Sequence, residues 1–217
     1  MTGIKFCGLT RHEDALLSVE LGASHVGAIL TESRRKVSVE HAARLFQSVD
    51  HRSRCVAVLG PDSHADAVSI VAKTSADVIQ LHDVRSARTV ERIKDDCGVE
   101  TWCVVGIDLA SSALPPVFHE LAEVSDAIVL DSMLQGRTGG TGVPIEWDLL
   151  APDFDRLASH VSIVLAGGLN PSNVGSAIAI LSPRIVDVSS GVESAPGVKD
   201  PKLMRAFAEA VRSASIE

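Results

Sequence analysis

A chain of 217 residues, 46% of them apolar, can bury one large core and lies near the short end, roughly 200 residues, of the range for an eightfold barrel of alternating strands and helices. A net charge of −8 argues against a nucleic-acid surface, because neutralising phosphates in series needs a basic face. No apolar run approaches the ~18 residues of a membrane span, and Met1 to Cys7 holds no charged region leading into a long apolar stretch, so no signal peptide is read and the expected location is cytoplasmic.

Short apolar runs alternate with stretches of helical period from end to end, the pattern of βα units and a parallel sheet. The predicted strands are 3–7, 25–30, 54–59, 77–81, 101–107, 126–130, 161–166 and 185–189. Eight strands suffice to close a single (β/α)8 TIM barrel, taken as one domain over 1–217. A doubly wound open sheet is the structural alternative, but it needs a switch point rather than evenly spaced units. Between the strands, Glu13 to Leu21 has helical spacing and ends at Gly22, a C-terminal stop. Pro115-Pro116 delays any helix in the fifth unit, around Ser111 to Val124. Asn170-Pro171 and Asp200-Pro201 place a capping residue before proline, a helix-start arrangement.

Function in a barrel gathers where the strands end. Cys7 follows the first strand, Ser33-Arg34-Arg35 the second, Gln80-Leu81-His82 the fourth, and Asp131 the sixth. Glycine turns close the last two: Ala166-Gly167-Gly168-Leu169 and Ser189-Ser190-Gly191-Val192. Only glycine lets a backbone come so near a ligand that amide N–H groups hold it. Paired turns of this kind, followed by helices, form a phosphate site, which makes Gly167, Gly168, Ser190 and Gly191 its candidates. A thiol, an arginine, a carboxylate and a phosphate cradle facing one cavity suggest proton transfer on a phosphorylated small molecule. The cysteines Cys7, Cys55, Cys97 and Cys103 lack C-x-x-C spacing, so neither zinc cluster nor disulfide framework is indicated, and no metal site follows. Gly139-Gly140-Thr141-Gly142 is not followed by the Lys-Ser/Thr of a P-loop.

At these residues the chain resembles the phosphoribosylanthranilate isomerase family of tryptophan biosynthesis. The resemblance is carried, in order, by Lys5-Phe6-Cys7-Gly8-Leu9-Thr10, Ser33 to Ser38, Gln80-Leu81-His82, Leu130-Asp131-Ser132, Gly139 to Gly142 with Trp147, Ala166 to Pro171, and Asp187 to Glu193 followed by Pro196-Gly197 and Lys199-Asp200. It implies an Amadori rearrangement that opens the ribose ring of N-(5'-phosphoribosyl)anthranilate and yields 1-(2-carboxyphenylamino)-1-deoxyribulose 5-phosphate, with no cofactor. It further implies Cys7 as general base, Asp131 as general acid, Arg35 at the anthranilate end and Asp187 near the ribose hydroxyls, with Gln80 and His82 as further substrate-binding candidates. The partner is the phosphosugar substrate, and the expected state is monomer or homodimer. The base must reach its thiolate and the acid must keep its proton, demands that oppose each other in one pocket. The expected solution is that the phosphate-binding amides and Arg35 favour the thiolate while a drier wall surrounds Asp131. Gly136 to Gly142 reads as a mobile lid that keeps water from the imine.

Without the resemblance, the same residues have plainer readings. Cys7 is then a small buried hydrophobe, Asp131 a turn or helix cap, Arg34-Arg35-Lys36 a solvated cluster, and Gln80 and His82 core or rim groups. The histidine-pathway sugar isomerase is the nearest enzyme alternative, but that family uses aspartate at the strand-one position where this chain has Cys7. A barrel that binds a phosphosugar without turning it over is the alternative from another class. The chain departs from the family pattern at Gly60-Pro61, at Asp83, where glycine is usual, and at Ala28 and Leu30.

Overall fold

The computed structural model describes residues 1–108, 114–134, 137, 138, 147, 150, 151, 154, 158 and 160–214. Its eight parallel strands are β1 Gly3–Phe6, β2 His25–Ile29, β3 Arg54–Leu59, β4 Val78–Leu81, β5 Glu100–Asp108, β6 Ala127–Leu134, β8 Ser162–Leu165 and β9 Ile185–Val188. Each pairs with its neighbours from β5 back through β1 to β9, β8 and β6, and the β5–β6 pairing closes the ring. A short strand, β7 (Arg137–Thr138), turns back antiparallel on β6, and β10 (Glu193–Ala195) pairs antiparallel with β11 (Val198–Lys199).

The strands read as largely apolar runs because both of their faces are covered. Alternate residues such as Val56, Val58, Val78, Trp102, Val104, Val129 and Val164 fill the barrel interior. The residues between them, among them Phe6, Ala57, Leu59, Ile79, Leu81 and Leu165, pack outward against the helices. Those helices are α1 His12–Glu20, α2 Val39–Val49, α3 Ala67–Thr74, α4 Ala87–Cys97, α5 Val117–Val124, α6 Val174–Leu181 and α7 Pro201–Ala214. In α7 the buried residues Met204, Phe207, Ala208 and Val211 recur at helical spacing, and Phe207 sets its ring 6.1 Å from that of Phe6 on β1. Among the described residues, no helix is long and apolar enough to cross a membrane.

Observed strand ends fall within one residue of those expected, with one exception. β6 continues to Leu134, four residues past the predicted end, because β5 and β6 stay paired from Trp102↔Ala127 to Asp108↔Met133. Asp200 does begin a helix: its carboxylate accepts from the backbone of Lys202 at 2.8 Å and α7 opens at Pro201. Asn170 does not. Its side chain accepts from the Ser172 N–H at 2.9 Å and closes a turn, and α6 starts only after Asn173, whose own carboxamide oxygen accepts from the Asn170 N–H. The intervening residues 171–173 form a turn in which the Asn173 and Val174 N–H groups donate to the Asn170 carbonyl at 3.3 and 3.1 Å.

The floor of the barrel carries a pH liability. His25 lies against Trp102, with ring centroids 4.9 Å apart, and its Nε2 is buried without a hydrogen-bond partner among the described residues. Burial, helped by the charges of Lys5 and Arg54, drops its pKa to about 3. The unfolded chain would protonate His25 near 6.5 while the folded one would not, so stability is full above ~6.5 and falls by about 1.4 kcal/mol per pH unit as the pH drops toward 3. Thermal melts between pH 7 and 4.5 should show that slope, and His25→Gln should flatten it.

Candidate active site

At the C-terminal ends of the strands lies a cavity of about 500 Å³. Cys7, Arg35, Gln80, His82, Asp131, Gly167, Gly168, Asp187 and Ser190 all line it. Gly191 is not among the lining residues and packs against the Leu169 carbonyl. The strand ends hold these groups through backbone bonds: the Cys7 N–H donates to the Val188 carbonyl at 2.9 Å, and the His82 N–H to that of Leu59 at 2.8 Å.

Parallel register aligns the ionisable groups. Leu130 pairs with Leu165 and Leu165 with Val186, so Asp131, Ala166 and Asp187, each one residue farther on, form a row across adjacent strands. Asp187 in turn pairs with Lys5. Lys5 is wholly buried in the interior, and its Nζ donates to Asp187 Oδ2 at 2.7 Å. Burial first, then the negative charge of Asp187, pushes the Asp131 carboxyl up to about 7. Burial also lifts the Cys7 thiol above its ordinary value, and Lys5 opposes that rise most strongly. The Lys5 ammonium resists its own burial because of Asp187 and Cys7, and its pKa ends above the ordinary lysine value.

Arg35 and Cys7 do act on each other, as expected, but the Arg35 interaction is dominated by another partner. Arg35 donates from Nε and Nη2 to the two carboxylate oxygens of Glu193 at 2.8 and 2.7 Å, a bidentate pair. Lys199, also buried, donates to Glu193 Oε1 at 2.9 Å and to the Ser189 carbonyl at 3.0 Å. Lys5 rather than Arg35 leads the cations acting on Cys7, since it sits two residues away on the same inward face of the chain, with Lys199 after it.

The two glycine turns touch. A Cβ on Gly191 would overlap the Leu169 carbonyl, so only glycine lets the turn after β9 nest against the turn after β8. Gly167 has φ +83°, and a Cβ there would run into the Ser132 backbone nitrogen. Gly191→Ala should therefore spread the two turns, cost about 1–3 kcal/mol of stability by overpacking, and raise KM more than it lowers kcat. Melting curves and steady-state kinetics on the same preparation check both.

Three buried polar atoms at this cavity have no hydrogen-bond partner among the described residues: Gln80 Oε1, Asp187 Oδ1 and Ser189 Oγ. Native proteins satisfy such groups, so their convergence on one cavity marks them for a polar ligand. The family model described as N-(5'phosphoribosyl)anthranilate (PRA) isomerase matches residues 4–210. The chain belongs to the phosphoribosylanthranilate isomerase family. It is 39% identical over 218 residues to N-(5'-phosphoribosyl)anthranilate isomerase of Erythrobacter litoralis, covering 99% of this chain and 100% of that one. Among solved structures it is similar to phosphoribosyl anthranilate isomerase from Thermotoga maritima, with a TM-score of 0.85 and 31% identity over 98% of this chain and 100% of that one. A phosphoribosyl anthranilate isomerase in complex with reduced 1-(o-carboxyphenylamino)-1-deoxyribulose 5-phosphate is similar too, with a TM-score of 0.82 and 30% identity over 98% of this chain and 100% of that one.

The departures from the phosphoribosylanthranilate isomerase pattern now have locations. Asp83 lines the cavity in the left-handed region, φ 52°, a conformation that glycine adopts at no steric cost. Gly60 packs against Thr31, and Pro61 opens a short 3-10 turn at the cavity rim. Ala28 and Leu30 belong to the outer core rather than the cavity wall. Of the Gly136 to Gly142 stretch, Arg137 and Thr138 form β7, and the rest lies outside the described residues. Sequence reading missed Lys5, Glu193 and Lys199. Only one signal pointed to Lys5: a lysine inside an otherwise apolar strand, an expensive placement without a partner.

Proposed function

We propose that Cys7 and Asp131 are the base and acid with which this isomerase interconverts phosphoribosylanthranilate and its ketose product. Membership of the family makes the chain an isomerase of tryptophan biosynthesis, and the reading adds the residues. Asp131 protonates the furanose ring oxygen, the C–O bond opens, and the glycosylamine becomes an imine. Cys7 then removes the proton from the neighbouring ribose carbon, and the resulting enolamine tautomerises to the ketose. The observation that carries the assignment is a carboxyl held near pKa 7, facing the same cavity as the thiol. A carboxylic acid at its ordinary pKa would have no proton to give at neutrality.

The other lining groups suit the remaining parts of the substrate. Asp187 Oδ1 and Gln80 Oε1 are acceptors for ribose hydroxyls. His82 is held neutral by burial, which leaves one ring nitrogen to donate and the other to accept. Arg35 spends its Nε and one Nη2 hydrogen on Glu193, and its Nη1/Nη2 edge stays available for the anthranilate carboxylate. The amides of the Gly167-Gly168 and Ser190-Gly191 turns receive the phosphate. We read residues 1–217 as one catalytic domain acting in the cytoplasm on a phosphosugar, without a cofactor, as monomer or homodimer. The test generates phosphoribosylanthranilate in situ and follows the loss of its fluorescence with wild type, Cys7→Ser and Asp131→Asn. Turnover that survives both substitutions undiminished sinks the assignment.

A further inference from the structure

The base and the acid face opposite demands in one cavity, and a single ion pair stands between them. Lys5 and Asp187 are buried, joined at 2.7 Å, and paired in register on adjacent strands. At one end, a Cβ on Gly27 would lie 3.2 Å from Cys7 Sγ and 3.4 Å from Lys5 Cε. Sulfur and lysine stem therefore share the space above one glycine. At the other end, Ala166 alone separates the Asp187 position from the Asp131 position in the row of strands, and its side chain is a methyl group. We propose that the Lys5–Asp187 ion pair is a positioning device for proton transfer: its ammonium end faces the Cys7 sulfur and favours the thiolate against the cost of burial, while its carboxylate end faces Asp131 and favours the acid form.

The proposal rests on the roles assigned above to Cys7 and Asp131. The orientation of the pair is what matters. A lone cation would favour the thiolate but strip the proton from Asp131, and a lone anion would do the reverse. Each residue feels the nearer end more: Lys5 precedes Asp187 among the charges acting on Cys7, and Asp187 precedes Lys5 among those acting on Asp131. The other charged or titratable groups around Cys7 are Lys199 from β11, Arg35 after β2 and His82 after β4. Of these, Arg35 and Lys199 are already committed to Glu193.

The test reads the sulfur directly. Wild type, Lys5→Met, Lys5→Arg and Lys5→Met/Asp187→Asn are alkylated with iodoacetamide across pH 6 to 10, and the Cys7 peptide is quantified by mass spectrometry, separately from Cys55, Cys97 and Cys103. Lys5→Met should move the Cys7 midpoint up by about one pH unit, ~tenfold in thiolate population at neutral pH. kcat should fall by a similar factor with KM changed far less. Lys5→Arg keeps the charge and should hold the midpoint closer to wild type than Lys5→Met does. If Lys5→Met alone does not fold, the double variant, which leaves no unpaired buried charge, carries the same measurement, and its midpoint should also rise because the nearer lysine dominates. A midpoint that stays at the wild-type value in the folded variants overturns the proposal, even if Cys7→Ser is inactive. Undiminished turnover in Cys7→Ser overturns instead the assignment of the base, a distinct result from a distinct variant.

Discussion

Asp131→Asn is expected to lower kcat about 10²–10⁴-fold, the usual contribution of a positioned proton donor. The change keeps shape and volume, so loss of activity without loss of fold isolates the proton. The pH profile makes the prediction sharper. With Asp131 near 7 and the Cys7 thiol above its ordinary value, the acid ionises before the base does. The productive form, thiolate with neutral carboxyl, is then a constant minority of the singly protonated enzyme. Wild-type kcat/KM should rise as pH increases through about 7, stay level, and fall once the thiol too has lost its proton, both inflections belonging to the coupled pair. In Asp131→Asn the inflection near 7 disappears, and the residual rate climbs with pH through thiol ionisation alone. A profile in which the variant retains the wild-type inflection near 7 would place that ionisation on another group. Cys7→Ser should lose activity on the same scale, because an alcohol near neutrality supplies almost no anion to act as base.

Glu193→Gln is the second large effect, and it joins stability to binding. Glu193 accepts from Arg35 twice and from Lys199 once, and the Lys199 side chain is wholly buried. Burial pushes the Glu193 carboxyl up, but the Arg35 hydrogen bonds and the charge and hydrogen bond of Lys199 outweigh it, so the group ends below the usual carboxylate range. Lys199 ends below its ordinary value, because burial wins at that end. The ion pair is thus favourable at the carboxylate and costly at the ammonium. Removing the carboxylate charge leaves a buried ammonium facing a guanidinium, at a cost of about 3–5 kcal/mol. A depressed carboxylate stabilises the fold fully above its unfolded value of about 4.3, and that stabilisation is lost as pH falls through the lower folded value. Denaturation of wild type and variant should accordingly differ most at neutral pH and converge in strong acid. KM should rise in the variant, since Arg35 no longer has a fixed partner to set its plane.

How much of this was legible in the chain differs between the framework and the site. The strand positions followed from local chemistry: runs such as Cys55 to Leu59 are apolar on both faces because a barrel covers both. Asp200-Pro201 announced α7 for an equally local reason, a carboxylate bonding the first helical N–H groups. Asn170-Pro171 carried the same signal and closed a turn instead, with the helix beginning only after Asn173.

The ordered motifs were enough to bring Cys7, Arg35, Gln80, His82, Asp131 and Asp187 to one list, since each stands at or near a strand end and strand ends share one face of a barrel. What each of them faces is another matter. Lys5 and Asp187 are 182 positions apart in the chain and 2.7 Å apart in space, and Arg35 meets Glu193 across 158 positions. Sequence determined which groups are present and which strand carries them, because alternation and capping act between residues close along the chain. Only closure of the sheet, which sets β1 beside β9, decided their partners and so their proton affinities, because Coulomb energy and desolvation depend on distance through space and on what excludes water there.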